Sequence, residues 1–142
     1  MTGVRREQSM KNQPKIGASG ELQFVVGPEH AIDFAEGGMP AVLSTPRLIG
    51  LLERTARQVL APLLESEERS VGIEIELRHL APTPLGQKVT CFARVIQTEG
   101  SQVSFHVEAR DEQEPIARGY HKRQIIRVER FAKRLQRKQQ IQ

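Results

Sequence analysis

Tryptophan is absent, tyrosine occurs once, and aromatic side chains make up only 4% of the 142 residues. The stacking platforms on which single-stranded nucleic acid rests are therefore scarce. Cys91 is the only cysteine, which excludes a disulfide framework and a cysteine-rich metal site and suits a reducing, cytoplasmic setting. No window approaches the roughly 18 consecutive apolar residues of a spanning helix, so a soluble protein is expected. The first twenty residues, MTGVRREQSMKNQPKIGASG, hold two early arginines with no apolar run behind them, and no secretion signal is expected there. Phosphate-binding loops, dinucleotide glycine patterns and nucleophile elbows are missing, and no spacing joins the four histidines into a metal site.

What is present has the size of one domain and, at 38% hydrophobic residues, enough apolar material for a core. The net charge of +4 is unevenly placed. Residues 1–16 carry +3 and residues 127–142 carry +5, which leaves the body at −4. Basic ends on an acidic body read as solvated tails, with nucleic-acid or ribosome attachment as the rival explanation.

Along the chain, residues 1–20 lack periodicity and read as a disordered basic leader. ELQFVV (21–26) has strand character and breaks at Gly27-Pro28; the glycine- and proline-rich EGGMPAVLSTP that comes later has the flexibility of a lid. A helix then begins, with Ser44 or Thr45 able to cap it and Pro46 suited to its first position. Leu48, Ile49, Leu52, Ala56, Val59, Leu60 and Leu63 form its apolar stripe, and Pro62 ends the regular part ahead of a polar connector, ESEER.

The period then changes to two. In SVGIEIELRHL the residues Val71, Ile73, Ile75 and Leu77 are expected on one face and Gly72, Glu74, Glu76 and Arg78 on the other. KVTCFARVIQT and QVSFHVEAR alternate likewise around the tight EGS connection, which predicts a hairpin. A last strand over about 116–128 leads into the basic helix RVERFAKRLQRK. One long helix followed by antiparallel strands predicts an α+β fold of hot-dog type, a sheet wrapped around a single central helix. Dimerisation that pairs sheet edges and shares a cleft is its natural completion.

Three polar residues stand where apolar ones are expected. His79 continues the odd-numbered series toward the buried face, Glu53 lies at the margin of the helix stripe, and Thr45 sits at the helix start beside free backbone donors. Each has an ordinary explanation: Thr45 as cap, Glu53 paired with Arg57 at i+4, His79 as a satisfied interior imidazole. Together they supply a hydroxyl, a carboxylate and an imidazole beside oriented amides, a sufficient set for attack on an activated acyl group. Cys91, on an apolar strand face, reads as inert packing, and His106 falls on the polar side of its strand.

The segments VLSTPRLIGLLERTA, SVGIEIELRHLAPTPLGQKVT and GYHKRQIIRVERF, in this order and spacing over about residues 42–131, closely resemble the fluoroacetyl-CoA thioesterase group of hot-dog proteins. The resemblance implies a catalytic threonine, glutamate and histidine at Thr45, Glu53 and His79. It places Gly72 beside the acyl carbonyl and matches Arg123 to the basic residue of the last strand's His-x-Arg pattern. Lys122 and Arg123 become candidates to hold the phosphates of coenzyme A. Two departures stand out: EGGMPA lacks the aromatic residues that family members place over the fluorinated acetyl group, and the last strand reads His-Lys-Arg in place of His-Glu-Arg.

The expectation is a cytoplasmic homodimer, with a tetramer as the larger option, that hydrolyses short or medium acyl-CoA without metal or added cofactor, CoA being part of the substrate. Its domain would cover 21–131, with 132–142 a basic tail. The rivals are a non-catalytic acyl-CoA binding module and a nucleic-acid accessory protein.

Overall fold

The computed structural model describes residues 13–140. The elements follow as β1 (Ser19–Val25), α1 (Thr45–Leu60), β2 (Glu68–His79), β3 (Lys88–Glu99), β4 (Gln102–Arg110), β5 (Pro115–Arg127) and α2 (Val128–Gln140). Short 3-10 turns occupy Pro28–His30 and Ala61–Leu63. All strand pairs are antiparallel, in the order β1-β3-β4-β5-β2. The long helix α1 packs on one face of this sheet, so the hot-dog arrangement expected from the element order is the observed one.

The first twelve residues of the expected leader lie outside the described ones, and β1 begins at Ser19, inside the segment read as leader. At the other end α2 runs unbroken across the 131/132 boundary. Helix α1 starts where its cap chemistry allows. Ser44 is the N-cap, its hydroxyl accepting from the Arg47 amide at 3.3 Å, and the proline falls within the first turn, where its missing N–H costs nothing. The Thr45 hydroxyl is therefore not used as a cap. Leu48, Leu52, Ala56 and Leu60 turn their fully buried side chains to the sheet and meet Val89, Cys91, Ala93 and Val95 of β3 and Val103, Phe105, Val107 and Ala109 of β4. Both alternating strands were readable from period two alone.

Strand β2 departs from its expected alternation. Gly72 pairs with Arg123, but Glu74 pairs with Lys122 and Ile75 with His121, so Ile73 is an extra residue in the ladder. Such a bulge shifts the phase of the strand. Ser70 and Gly72 before it, and Ile75, Leu77 and His79 after it, all face α1, whereas Val71 pairs with Gln124 on the other side. The single buried face expected for Val71, Ile73, Ile75 and Leu77 is thus corrected: Ile73 is 48% and Ile75 36% exposed. Their exposure has a simple cause, because β2 is an edge strand and α1 lies mainly over β1 and β3. The connector ESEER is also partly structural, since Glu68 begins β2 with 1% exposure and accepts from the Glu65 amide at 2.9 Å.

Strands β2 and β5 approach so closely at Gly119 that a Cβ there would overlap the Glu76 carbonyl oxygen, with Leu77 backbone next nearest. Gly50, in contrast, has open space around its α1 position. Gly119→Ala is expected to destabilise the fold by about 1–3 kcal/mol through overpacking, while Gly50→Ala stabilises it by about 0.5–1 kcal/mol through helix propensity. Denaturant unfolding of both variants checks the pair, and equal effects would contradict the described β2–β5 contact.

Candidate functional site

Helix α1 and strand β2 run antiparallel along the open flank of the molecule, and two polar groups lie between them. At the helix start, Thr45 Oγ1 and His79 Nδ1 are 2.7 Å apart. Freed from capping by Ser44, the threonine hydroxyl is available to the imidazole that closes β2. The other ring nitrogen, His79 Nε2, is buried and has no hydrogen-bond partner among the described residues. Burial lowers the His79 pKa from its ordinary 6.5, which keeps the ring neutral at neutral pH.

The second group lies eight residues further along α1, about 12 Å in helix rise. Here Glu53 reaches Gly72 so closely that a Cβ on this glycine would overlap Glu53 Oε2, and it would stand only 3.0 Å from His121 Cε1 and 3.4 Å from Arg123 Nη1. A side chain at position 72 would have to displace the tip of Glu53 and crowd His121, while the backbone conformation there makes no demand for glycine. Among the described residues Glu53 makes no ion pair, and the i+4 pairing with Arg57 is not formed.

Arg123 is held on every side. Its Nε donates to Ser70 Oγ and its Nη2 to the Ser70 carbonyl, both at 2.8 Å, and its Nη1 donates to His121 Nε2 at 3.1 Å. The opposite nitrogen of His121 donates to the Glu74 carbonyl at 2.9 Å, which fixes the tautomer that can accept from the guanidinium. Burial, with 2% of His121 exposed, lowers its pKa, and the Arg123 charge adds to this against the opposing pull of the Glu74 carbonyl and of Glu53. His121 is accordingly a neutral strut for Arg123. For Arg123 itself, burial lowers the pKa, the Glu53 charge raises it and the Arg57 charge lowers it.

The residues proposed from the sequence therefore divide. Thr45 and His79 are together; Glu53, Gly72 and Arg123 are together; among the described residues no hydrogen bond or ion pair joins the two sets. Lys122 belongs to neither, since it lies on the opposite face of the sheet with its ammonium 3.7 Å from Glu74. His106, on that same outer face, contacts Glu108 at 3.1 Å, and burial pushes the Cys91 thiol up to about 12, which removes it as a nucleophile. The sequence assigns no role to Ser70, and it offers His121 only as the first member of the His-Lys-Arg motif. The inward series 117, 119, 121, 123, 125 of β5 was the signal that would have joined His121 to Arg123. Among the described residues no group of three or more His, Cys, Asp or Glu side chains is placed to hold a metal ion, and no helix is long and apolar enough to cross a membrane.

The profile of a family described as fluoroacetyl-CoA-specific thioesterase matches residues 26–129. The fluoroacetyl-CoA thioesterase of Streptantibioticus cattleyicolor is 34% identical over 137 residues, which cover 91% of this chain and 97% of that protein. The solved structure of the fluoroacetyl-CoA thioesterase FlK superposes with a TM-score of 0.83 at 31% identity, covering 89% of this chain and 98% of the other. A Thermus thermophilus protein of the thioesterase superfamily superposes with a TM-score of 0.79 at 30% identity, covering 92% and 98%. A bulged strand, a capped helix and two facing polar groups thus stand on a scaffold shared along nearly its whole length with these proteins, and the chain belongs to the fluoroacetyl-CoA thioesterase family of hot-dog thioester hydrolases.

Proposed function

We propose that the protein is a homodimeric acyl-CoA thioesterase whose active site is completed across two chains. The observation that carries this reading is the Thr45–His79 contact, with a buried Nε2 that has no partner among the described residues, two helical turns away from Glu53, whose carboxylate faces Arg123. The backbones of Thr45 and Glu53 stand about 12 Å apart along the helix, and among the described residues no hydrogen bond or ion pair joins Glu53 to the Thr45–His79 pair. A second copy seated on the open edge of β2 closes that gap. Two-fold pairing centred near Ile75, where the edge exposes Ile73 and Ile75, sets the two α1 helices antiparallel. Each Glu53 then lies level with the Thr45–His79 pair of the other copy.

In that site the thioester carbonyl stands beside Gly72 and Glu53. Pro46 has no N–H and the Arg47 amide is taken by Ser44, which leaves the Thr45 amide as the open donor at the helix start, aimed at the developing oxyanion. Either Glu53 attacks the carbonyl and the C–S bond breaks to leave a mixed anhydride that water then hydrolyses, or Glu53 takes a proton from a water whose oxygen attacks the carbonyl. In both routes CoA departs as the thiolate, to be protonated, and the acyl group leaves as the free acid. Neutral His79 exchanges the proton through Nε2 while Thr45 Oγ1 orients the ring through Nδ1. Arg123, fixed by Ser70 and His121, supplies a positive charge facing Glu53 and the acyl group. Side chains and water suffice for this chemistry, with CoA entering only as part of the substrate. A cytoplasmic setting suits the single buried thiol.

Glu53→Gln and His79→Ala are each expected to lower kcat by about 100-fold or more, followed as free thiol release from acyl-CoA. Mixed dimers of the two variants should regain activity, because one of their two sites then holds both an intact Glu53 and an intact His79. Mixed dimers as inactive as the parents would contradict a shared site.

The depressed histidines give a pH prediction. In the unfolded chain His79 and His121 titrate near 6.5, and in the folded protein below it. The unfolded state therefore binds more protons as pH falls through 6.5, and stability is lost in that direction. The melting temperature should fall between about pH 7.5 and about pH 5.5, and His121→Gln should lessen the fall. The acidic limb of kcat/KM is expected below the ordinary imidazole value of 6.5; a limb above it would contradict a neutral His79.

A further inference from the structure

The cavity at Glu53, about 270 Å³, is lined by Gly50, Glu53, Arg54, Arg57, Gly72 and Arg123. Its three guanidinium groups exceed its single carboxylate by two positive charges. Arg123 has its donors committed to Ser70 and His121. Arg54 and Arg57 do not. Both are exposed, and neither makes an ion pair or side-chain hydrogen bond with any described residue. For Arg57 this is notable, because its position at i+4 from Glu53 is the favourable one for pairing, yet Glu53 turns to Gly72 instead. Uncompensated cations gathered on one concave surface repel one another, and an anionic oxygen group placed among them relieves that repulsion through charge-assisted, fork-shaped hydrogen bonds.

We propose that Arg54 and Arg57 hold an anionic group of the substrate on the acyl side of the thioester, so that the preferred substrate class is an acyl-CoA ending in a carboxylate. This rests on the reading that the thioester carbonyl stands at Glu53 and Gly72. Arg54 and Arg57 follow Glu53 by one and four residues, about 1.5 and 6 Å along the helix, and line the same cavity. The terminal carboxylate of a short acyl chain whose carbonyl stands at Glu53 falls within this reach. The phosphates of CoA, carried at the far end of the pantetheine arm, are the other source of the same chemistry.

The test compares glutaryl-CoA with pentanoyl-CoA, and each with its 3′-dephospho form, in the full-length wild-type protein and in R54Q/R57Q. Glutamine keeps good helix propensity at these exposed positions, so the fold is preserved. The wild type is expected to favour glutaryl-CoA by about tenfold in kcat/KM. The double variant should lose about that factor on glutaryl-CoA, chiefly through KM, and less than about twofold on pentanoyl-CoA. Equal losses on both thioesters, together with weak wild-type turnover of the dephospho forms, would overturn the acyl-side assignment in favour of the CoA phosphates. No change in the double variant would overturn anion binding altogether. If no thioester is hydrolysed, the thioesterase reading fails by itself; calorimetric binding of the same glutaryl and pentanoyl compounds to both proteins then decides the arginine inference.

Discussion

One extra residue in an edge strand organises the functional flank of this molecule. Without the bulge at Ile73, strict alternation would put Gly72 and His79 on opposite faces of β2, because they are an odd number of positions apart. With it, Ser70 and Gly72 meet the middle of α1, and His79 meets its start. The bulge also spares Gly72 from packing the core, so that its missing side chain makes room for Glu53, His121 and Arg123 to converge. The buried imidazole and guanidinium are tolerated because the Glu74 and Ser70 carbonyls and the Ser70 hydroxyl accept the hydrogen bonds that water would otherwise take, while Glu53 faces the cavity.

The two histidines facing α1 divide the work expected of an imidazole. His121 has both nitrogens engaged, one by a carbonyl and one by a guanidinium, so its role is to hold Arg123. His79 has one nitrogen engaged by Thr45 and the other without a partner among the described residues, which makes it the ring we propose to move the proton. Burial lowers both pKa values, but for His121 a proton would break the acceptor bond to Arg123, whereas for His79 it is part of the proposed cycle.

Much of the fold was legible in the residues. The Ser44–Pro46 start of α1, its apolar stripe, and the alternation of β3 and β4 each follow from local chemistry and reappear in place. Thr45, Glu53, His79, Gly72 and Arg123 could be named because polar or small residues interrupt apolar patterns, and because their motifs resemble a known family. Their grouping was not legible. The run from Val71 to His79 alternates without a break, so nothing in it marks where the ladder slips. The phase is set by the partner residues Lys122 and His121 on β5. Lys122 illustrates the same limit, since adjacency to Arg123 in sequence means opposite faces in a strand. The open edge of β2, which leaves Ile73 and Ile75 uncovered, depends on strand order and becomes visible only once the sheet is assembled.

Glu53 of one chain and the Thr45–His79 pair of another are proposed to meet at one thioester carbonyl. A crystal structure with an unreactive thioether or amide analogue of an acyl-CoA tests it most directly. A shared site places the carbonyl carbon about 3–3.5 Å from a Glu53 carboxylate oxygen, with the helix start and His79 of the neighbouring chain on its other side. An analogue bound against Glu53 with no second chain within reach, or bound at Thr45 and His79 far from any Glu53, would contradict it.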